Sequence, residues 1–143
     1  MKTTLIVMRA ALLASLSGLT AFAAAPLQAA ERMTPGQWES TVMSDRGTYT
    51  TSACKTPDDV KIANADAKTA RALTEKSVAG SCAIGTYEDS GNRVSYTMMC
   101  GKVVTTITST FRGDSFESDF TNTEGGSVRP AMHVKGKRVG ACK

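Results

Sequence analysis

Between Cys82 and Cys100 the chain alternates polar and apolar positions on either side of Ser90-Gly91-Asn92, and this pattern anchors the reading of the whole sequence. Gly and Asn tolerate the positive φ of a tight turn, so the segment predicts a β-hairpin. With those three residues as the loop, Asp89 faces Arg93, Thr86 faces Tyr96, Ile84 faces Met98 and Cys82 faces Cys100. Directly opposed Cα atoms lie ~4.5–5.5 Å apart, a separation that a disulfide accepts. Period-two alternation recurs on both sides of this hairpin. Gln37–Met43 predicts a first strand with Trp38 and Val42 on one face and Glu39 and Thr41 on the other. Asp45-Arg46-Gly47 turns the chain, and Thr48–Ala53 returns as a second strand. Beyond Cys100, Val103, Thr105, Ile107, Ser109 and Phe111 share a face, Arg112-Gly113-Asp114-Ser115 forms a turn, and Phe116, Ser118 and Phe120 point inward. Thr123–Ser127 reads as a loop and Ala131–Val139 as the last strand, with Met132 and Val134 on one side and His133, Lys135 and Lys137 on the other.

A different period holds between Thr56 and Gly80. Thr56 is placed to cap, Pro57 suits a first helical position, and Asp58-Asp59 favours the positive end of a helix rather than a cation site. Val60, Ala63, Ala67, Ala70 and Leu73 follow at helical spacing, as one helix or as two pieces broken near Asn64. The predicted fold is mainly β: a curved antiparallel meander of about seven strands, open or curled into a partial barrel, with one helical insertion over part of its apolar face.

The start of the chain obeys neither period. Lys2 and Arg9 precede an Ala/Leu-rich apolar run that Pro26 ends, the pattern of a secretory signal peptide over residues 1–29. Cleavage after Ala29 fits best and Ala23 offers a second small-x-small site; an uncleaved membrane anchor is the alternative. A single domain of residues 30–143 is then expected in the periplasm. Lys2 and Arg9 leave with the leader, so 17 basic residues become 15 against 13 acidic ones and the net charge falls from +4 to +2. That balance gives no nucleic-acid footprint.

Cys54, Cys82, Cys100 and Cys142 all lie after the leader. An even count in an exported chain reads as two disulfides. The hairpin register selects Cys82–Cys100 and leaves Cys54–Cys142. No close cysteine pair of zinc-ligand spacing occurs.

Five segments, in order, carry a resemblance: Met33-Thr-Pro-Gly-Gln-Trp-Glu39, Cys54-x-Thr-Pro-Asp-Asp59, Gly91-Asn-x-Val-Ser-Tyr-Thr-Met-x-Cys100, Gly113-Asp-Ser-Phe-Glu117 and Gly136–Lys143. Together the chain resembles the small exported bacterial proteins of domain-of-unknown-function family 3617, although Asn64–Gly80 is longer than that family's compact form. The resemblance implies an exported envelope protein and brings no activity, ligand or catalytic residue.

Known catalytic arrangements find little here. His133 is the single histidine, alternation turns it outward with the lysines, and no nucleophile elbow, phosphate-cradling loop or paired-cysteine redox motif is present. Arg112-Gly113-Asp114 spells an adhesion tripeptide but sits in a hairpin turn. Arg129, Lys135, Lys137, Arg138 and Lys143 read as a solvated basic strand face. The remaining chemical asset is one apolar sheet face, with Trp38, Tyr96, Met98, Phe111, Phe116 and Phe120 as its candidate binding residues and Val42, Ile84, Val103, Ile107 and Val134 beside them. The expectation is a monomeric, non-catalytic binding or envelope-associated module without cofactor or metal, taking a protein partner or an apolar small molecule. The alternative is a hydrolase built on carboxylates such as Glu39, Asp119 and Glu124.

Overall fold

A computed structural model describes residues 31–143, so the expected signal peptide lies outside the described residues. The elements are β1 (Gly36–Ser44), β2 (Gly47–Lys55), α1 (Lys61–Asn64), α2 (Ala67–Val78), β3 (Ala83–Asp89), β4 (Arg93–Cys100), β5 (Val103–Phe111), β6 (Ser115–Glu124) and β7 (Ser127–Gly140). All seven strands join one antiparallel sheet in the order β2-β1-β7-β6-β5-β4-β3. Short turns make β3 to β7 a meander, as alternation predicted, but β7 then pairs with β1. This corrects the simple meander. β2 and β3 are consecutive in the chain yet form opposite edges, and the helical segment between them crosses the sheet. The sheet does not close into a barrel, because β2 and β3 do not pair.

The pairing register gathers the predicted apolar positions on one face. Trp38 and Val42 of β1, Val134 of β7, Phe116 and Phe120 of β6, Ile107 and Phe111 of β5, and Tyr96 and Met98 of β4 all lie there. The opposite face carries Thr41, Thr50, Thr106, Thr108 and Thr110 among charged side chains.

The aromatic cluster of the core sits at one end of the apolar face, and Val42, Val94 and Ile107 are also buried along it. Trp38 is 1% exposed and clusters with Met33 and Val60, while Ala63, Phe111 and Phe116 pack around them. Its indole N–H donates to Thr34 O at 3.0 Å, so burial strands no polar group. The helical segment is broken after Asn64. Thr56 and Asp59 cap the preceding turn reciprocally: Thr56 N donates to Asp59 Oδ2 at 2.7 Å and Asp59 N to Thr56 Oγ1 at 3.3 Å. Asp66 restarts the helix by accepting from Thr69 N at 3.0 Å. The expected Ala stripe is only partly inward: Ala70 is fully buried and Ala67 is exposed. α2 lies beside β3, where Arg71 Nη2 donates to Gly85 O at 3.4 Å.

The central hairpin departs from the expected register near its turn. Ser90 N donates to Arg93 O at 2.9 Å, which makes Gly91-Asn92 a two-residue loop. Gly91 has φ +78° and Asn92 does not have a positive φ, the sign pattern of a type II′ turn. Tyr87 therefore faces Tyr96 in place of Thr86. A bulge then sets Gly85 and Thr86 against Thr97 and restores the expected register at Ile84↔Met98. Both predicted disulfides are present, Cys82–Cys100 and Cys54–Cys142, with Cα separations of 4.4 and 5.3 Å.

Candidate functional site

Residues Glu31–Pro35 run across the end of the apolar face that holds the core. Thr34 N donates to Gly113 O at 3.0 Å and Gly113 N to Arg32 O at 3.1 Å, so this strap is pinned to the β5–β6 turn. Asn64 holds it from above, accepting from Met33 N at 2.9 Å and donating to Met33 O at 2.8 Å. Arg32 continues to Asp89 at the end of β3. The Arg-Gly-Asp tripeptide is thus a structural turn whose backbone receives the strap.

Along the apolar face, the six candidate residues divide into two groups. Trp38, Phe111 and Phe116 are packed together, with ring centroids 5.7 Å apart for Trp38–Phe116 and 6.3 Å for Phe111–Phe116. They fill the closed end beneath the strap and α1 and offer no open wall. Tyr96, Met98 and Phe120 lie further along the same face, half-buried. Tyr96 stacks on Tyr87 with centroids 5.9 Å apart and an interplanar angle of 20°. Burial raises the phenol pKa of Tyr96 above its usual value; Tyr87 is raised first by burial and then by the nearby Asp89 charge, with Arg32 opposing.

At the far end of the face the sheet opens into a cleft of about 660 Å³. Its walls come from the β1–β2 turn (Ser44, Asp45, Arg46), the start of β5 (Val103) and the β6–β7 hairpin (Asn122, Glu124, Arg129). In the sheet order β7 and β6 stand between β1 and β5, so shared walls mean that the sheet curls. A neighbouring cleft of about 500 Å³ shares Ser44, Asp45, Pro130 and Ala131 and takes its other walls from both faces of the sheet: Phe120 and Met132 from the apolar side, Met43, Asp119, Thr121 and His133 from the polar side. The two meet at the β7 bulge, where the register shifts between Phe120 and Thr121. Alternation predicted Phe120, Met132 and Val103 on this face. The cleft itself depends on curl and on the bulge, which carry no period.

The polar face holds the other candidates. His133 and Asp119 are cross-strand partners, with Nδ1 2.6 Å from Oδ1. Glu39 faces Lys137 on the same side of the sheet, and Glu124 stands at the hairpin end. The three carboxylates proposed for hydrolysis therefore occupy separate places. Lys135 and Lys137 are exposed as expected. Arg138 is not part of that solvated set: its Nε donates to Pro35 O at 2.9 Å, on the strap side. Among the described residues no group of three or more His, Cys, Asp or Glu is arranged to hold a metal ion, and no helix is long and apolar enough to cross a membrane.

The sequence model of one family, described as a protein of unknown function (DUF3617), matches residues 33–142. No curated protein and no solved structure matches the chain.

Proposed function

The chain belongs to the DUF3617 family over residues 33–142, and from that premise we propose that it is an exported, non-catalytic binding module of the periplasm. It holds an apolar small molecule in the open end of its curled sheet. The observation that carries this reading is the division of the apolar face into a filled end and an open end. Trp38, Phe111 and Phe116 are consumed by the core, whereas Val103 lines the cleft of about 660 Å³ and Phe120 and Met132 border the neighbouring one of about 500 Å³, which Asp119 and His133 share from the polar side. Small-molecule sites typically measure ~300–1,000 Å³ and combine apolar walls with a few polar groups. Here Val103, Pro130 and Ala131 supply the apolar wall of the larger cleft, and Ser44, Asp45, Arg46, Asn122, Glu124, Ser127 and Arg129 its polar groups. Two disulfides support the assignment to an oxidising compartment.

Titration of the folded protein with an environment-sensitive apolar dye tests the reading. Fluorescence should rise on binding, and Phe120→Glu should weaken the effect while circular dichroism stays unchanged. A dye that gives no gain with the fold intact overturns it.

A further inference from the structure

The two edges of the sheet are treated differently. β3 is protected: a bulge interrupts it at Gly85–Thr86, α2 lies along it, and the exposed Glu88 charges its end. β2 has none of these devices. Its register with β1 is unbroken from Gly36↔Lys55 to Ser44↔Gly47, and Gly47–Cys54 is exposed throughout and carries no charged residue and no proline. Native proteins rarely leave a long, flat, uncharged edge bare, because its free N–H and C=O groups template another strand.

We propose that β2 is an interaction edge that pairs antiparallel with β2 of a second copy of this chain, joining two sheets into one. The occupant follows from self-complementarity. The two-residue β1–β2 loop makes Ser44↔Gly47 the bonded closing pair, and bonded pairs alternate from there. Thr48, Thr50 and Ser52 consequently turn their N–H and C=O groups outward. A two-fold axis through Thr51 sets Thr50 against Ser52 of the second copy and Thr48 against its Cys54, so the outward groups meet one another. The same register sets Tyr49, 57% exposed, against Ala53 of the second copy on the apolar-face side. A large side chain thereby meets a small one, and no like charges are opposed. Lys55, the sole charge of the strand, meets Gly47 of the second copy. The pairing departs from the monomer that the sequence reading expects. It uses Gly47–Lys55 of β2, whereas the cleft takes Ser44, Asp45 and Arg46 of the adjoining β1–β2 turn and no residue of β2 itself.

The test uses a charge swap on the axis. Residues 30–143, which carry every described element and both disulfides, are examined by sedimentation equilibrium across a wide concentration range. The wild type should show a monomer–dimer equilibrium. Thr51→Lys places two like charges directly opposite, and so does Thr51→Glu; each should weaken association roughly fivefold or more. An equimolar mixture of the two variants should regain it, a result that misfolding cannot mimic. A wild type that stays monomeric at every concentration overturns the proposal and leaves the edge to a strand of another protein. A dimer that persists unchanged in both variants also overturns it.

Discussion

Arg32 reaches across the closed end of the sheet to Asp89, 57 residues away in sequence, and its Nη2 lies 2.5 and 2.7 Å from the two carboxylate oxygens. The side chains are only 13% and 6% exposed, and Arg32 Nη1 also donates to Ala63 O at 3.2 Å. One guanidinium thus ties the strap, the end of β3 and α1 together. Removing one member of a buried ion pair costs about 3–5 kcal/mol, because the survivor stays charged and poorly solvated. Arg32→Met should lower the urea midpoint accordingly. Adding Asp89→Asn removes the stranded charge and should restore part of the loss. Urea melts of both singles and the double variant measure the coupling, and strict additivity would refute it.

How far this architecture was legible in the sequence is clearest at the central hairpin. The three-residue loop was expected from Ser90-Gly91-Asn92, and the loop has two residues. Cys82 still pairs with Cys100 because the bulge at Gly85–Thr86 returns the register to the expected one. A lone glycine in a strand is a known bulge signal, and Gly85 carried it: a Cβ there would sit 2.5 Å from Thr97 Oγ1. The face assignments survived because side-chain alternation is local. The return of β7 to β1 did not show, since strand order depends on contacts far apart in sequence. Nor did the strap: some of its anchors are backbone groups of Arg32, Thr34 and Gly113, and its side-chain anchors Asn64 and Arg138 lie 31 and 103 residues from the groups they hold. The His133–Asp119 pair was half visible: alternation placed both residues outward, and only the β6–β7 register made them neighbours.

The two disulfides should differ in their effect on stability. Cys82–Cys100 spans 18 residues of sequence and Cys54–Cys142 spans 88. The chain-entropy relation gives roughly 3 kcal/mol for the shorter loop and roughly 4.5 for the longer. Paired Cys→Ala substitutions at Cys54 and Cys142 should therefore destabilise more than the pair at Cys82 and Cys100. Calorimetric melts of the two variants rank them, and the reverse order would show that loop closure is not the controlling term.

Alkaline pH should loosen the half-open part of the apolar face. The phenols of Tyr96 and Tyr87 are raised in the folded protein, chiefly by burial. An unfolded tyrosine ionises near pH ~10, so above that pH the unfolded chain gives up these protons more readily than the folded one. Stability is then fully present below pH ~10 and falls as pH rises toward and through the folded values. Tyr96→Phe should flatten this alkaline decline in denaturation midpoints measured from pH 8 to 11 (the range that brackets pH ~10). An unchanged slope would assign the decline to other groups.

Gly136 offers the sharpest test of the core. It lies opposite Phe116 in the β6–β7 ladder and opposite Ser40 in the β1–β7 ladder. The Phe116 ring lies directly over it: a Cβ at Gly136 would come 2.0 Å from Phe116 Cε1 and 2.5 Å from Cδ1 and Cζ. No real contact is that short, so Gly136→Ala must push the ring away. The ring has little room, since its other side meets Trp38 and Phe111. Overpacking of this kind typically costs about 1–3 kcal/mol. The displacement should also reach Trp38, the one tryptophan in the chain, whose burial depends on that ring. The variant should combine a lower denaturation midpoint with an altered near-ultraviolet tryptophan signal. Adding Phe116→Leu to Gly136→Ala should relieve the clash at the expense of aromatic packing, making the double variant more stable than the sum of the single losses predicts. If Gly136→Ala leaves both the midpoint and the Trp38 signal unchanged, the glycine is not what seats Phe116 in the core.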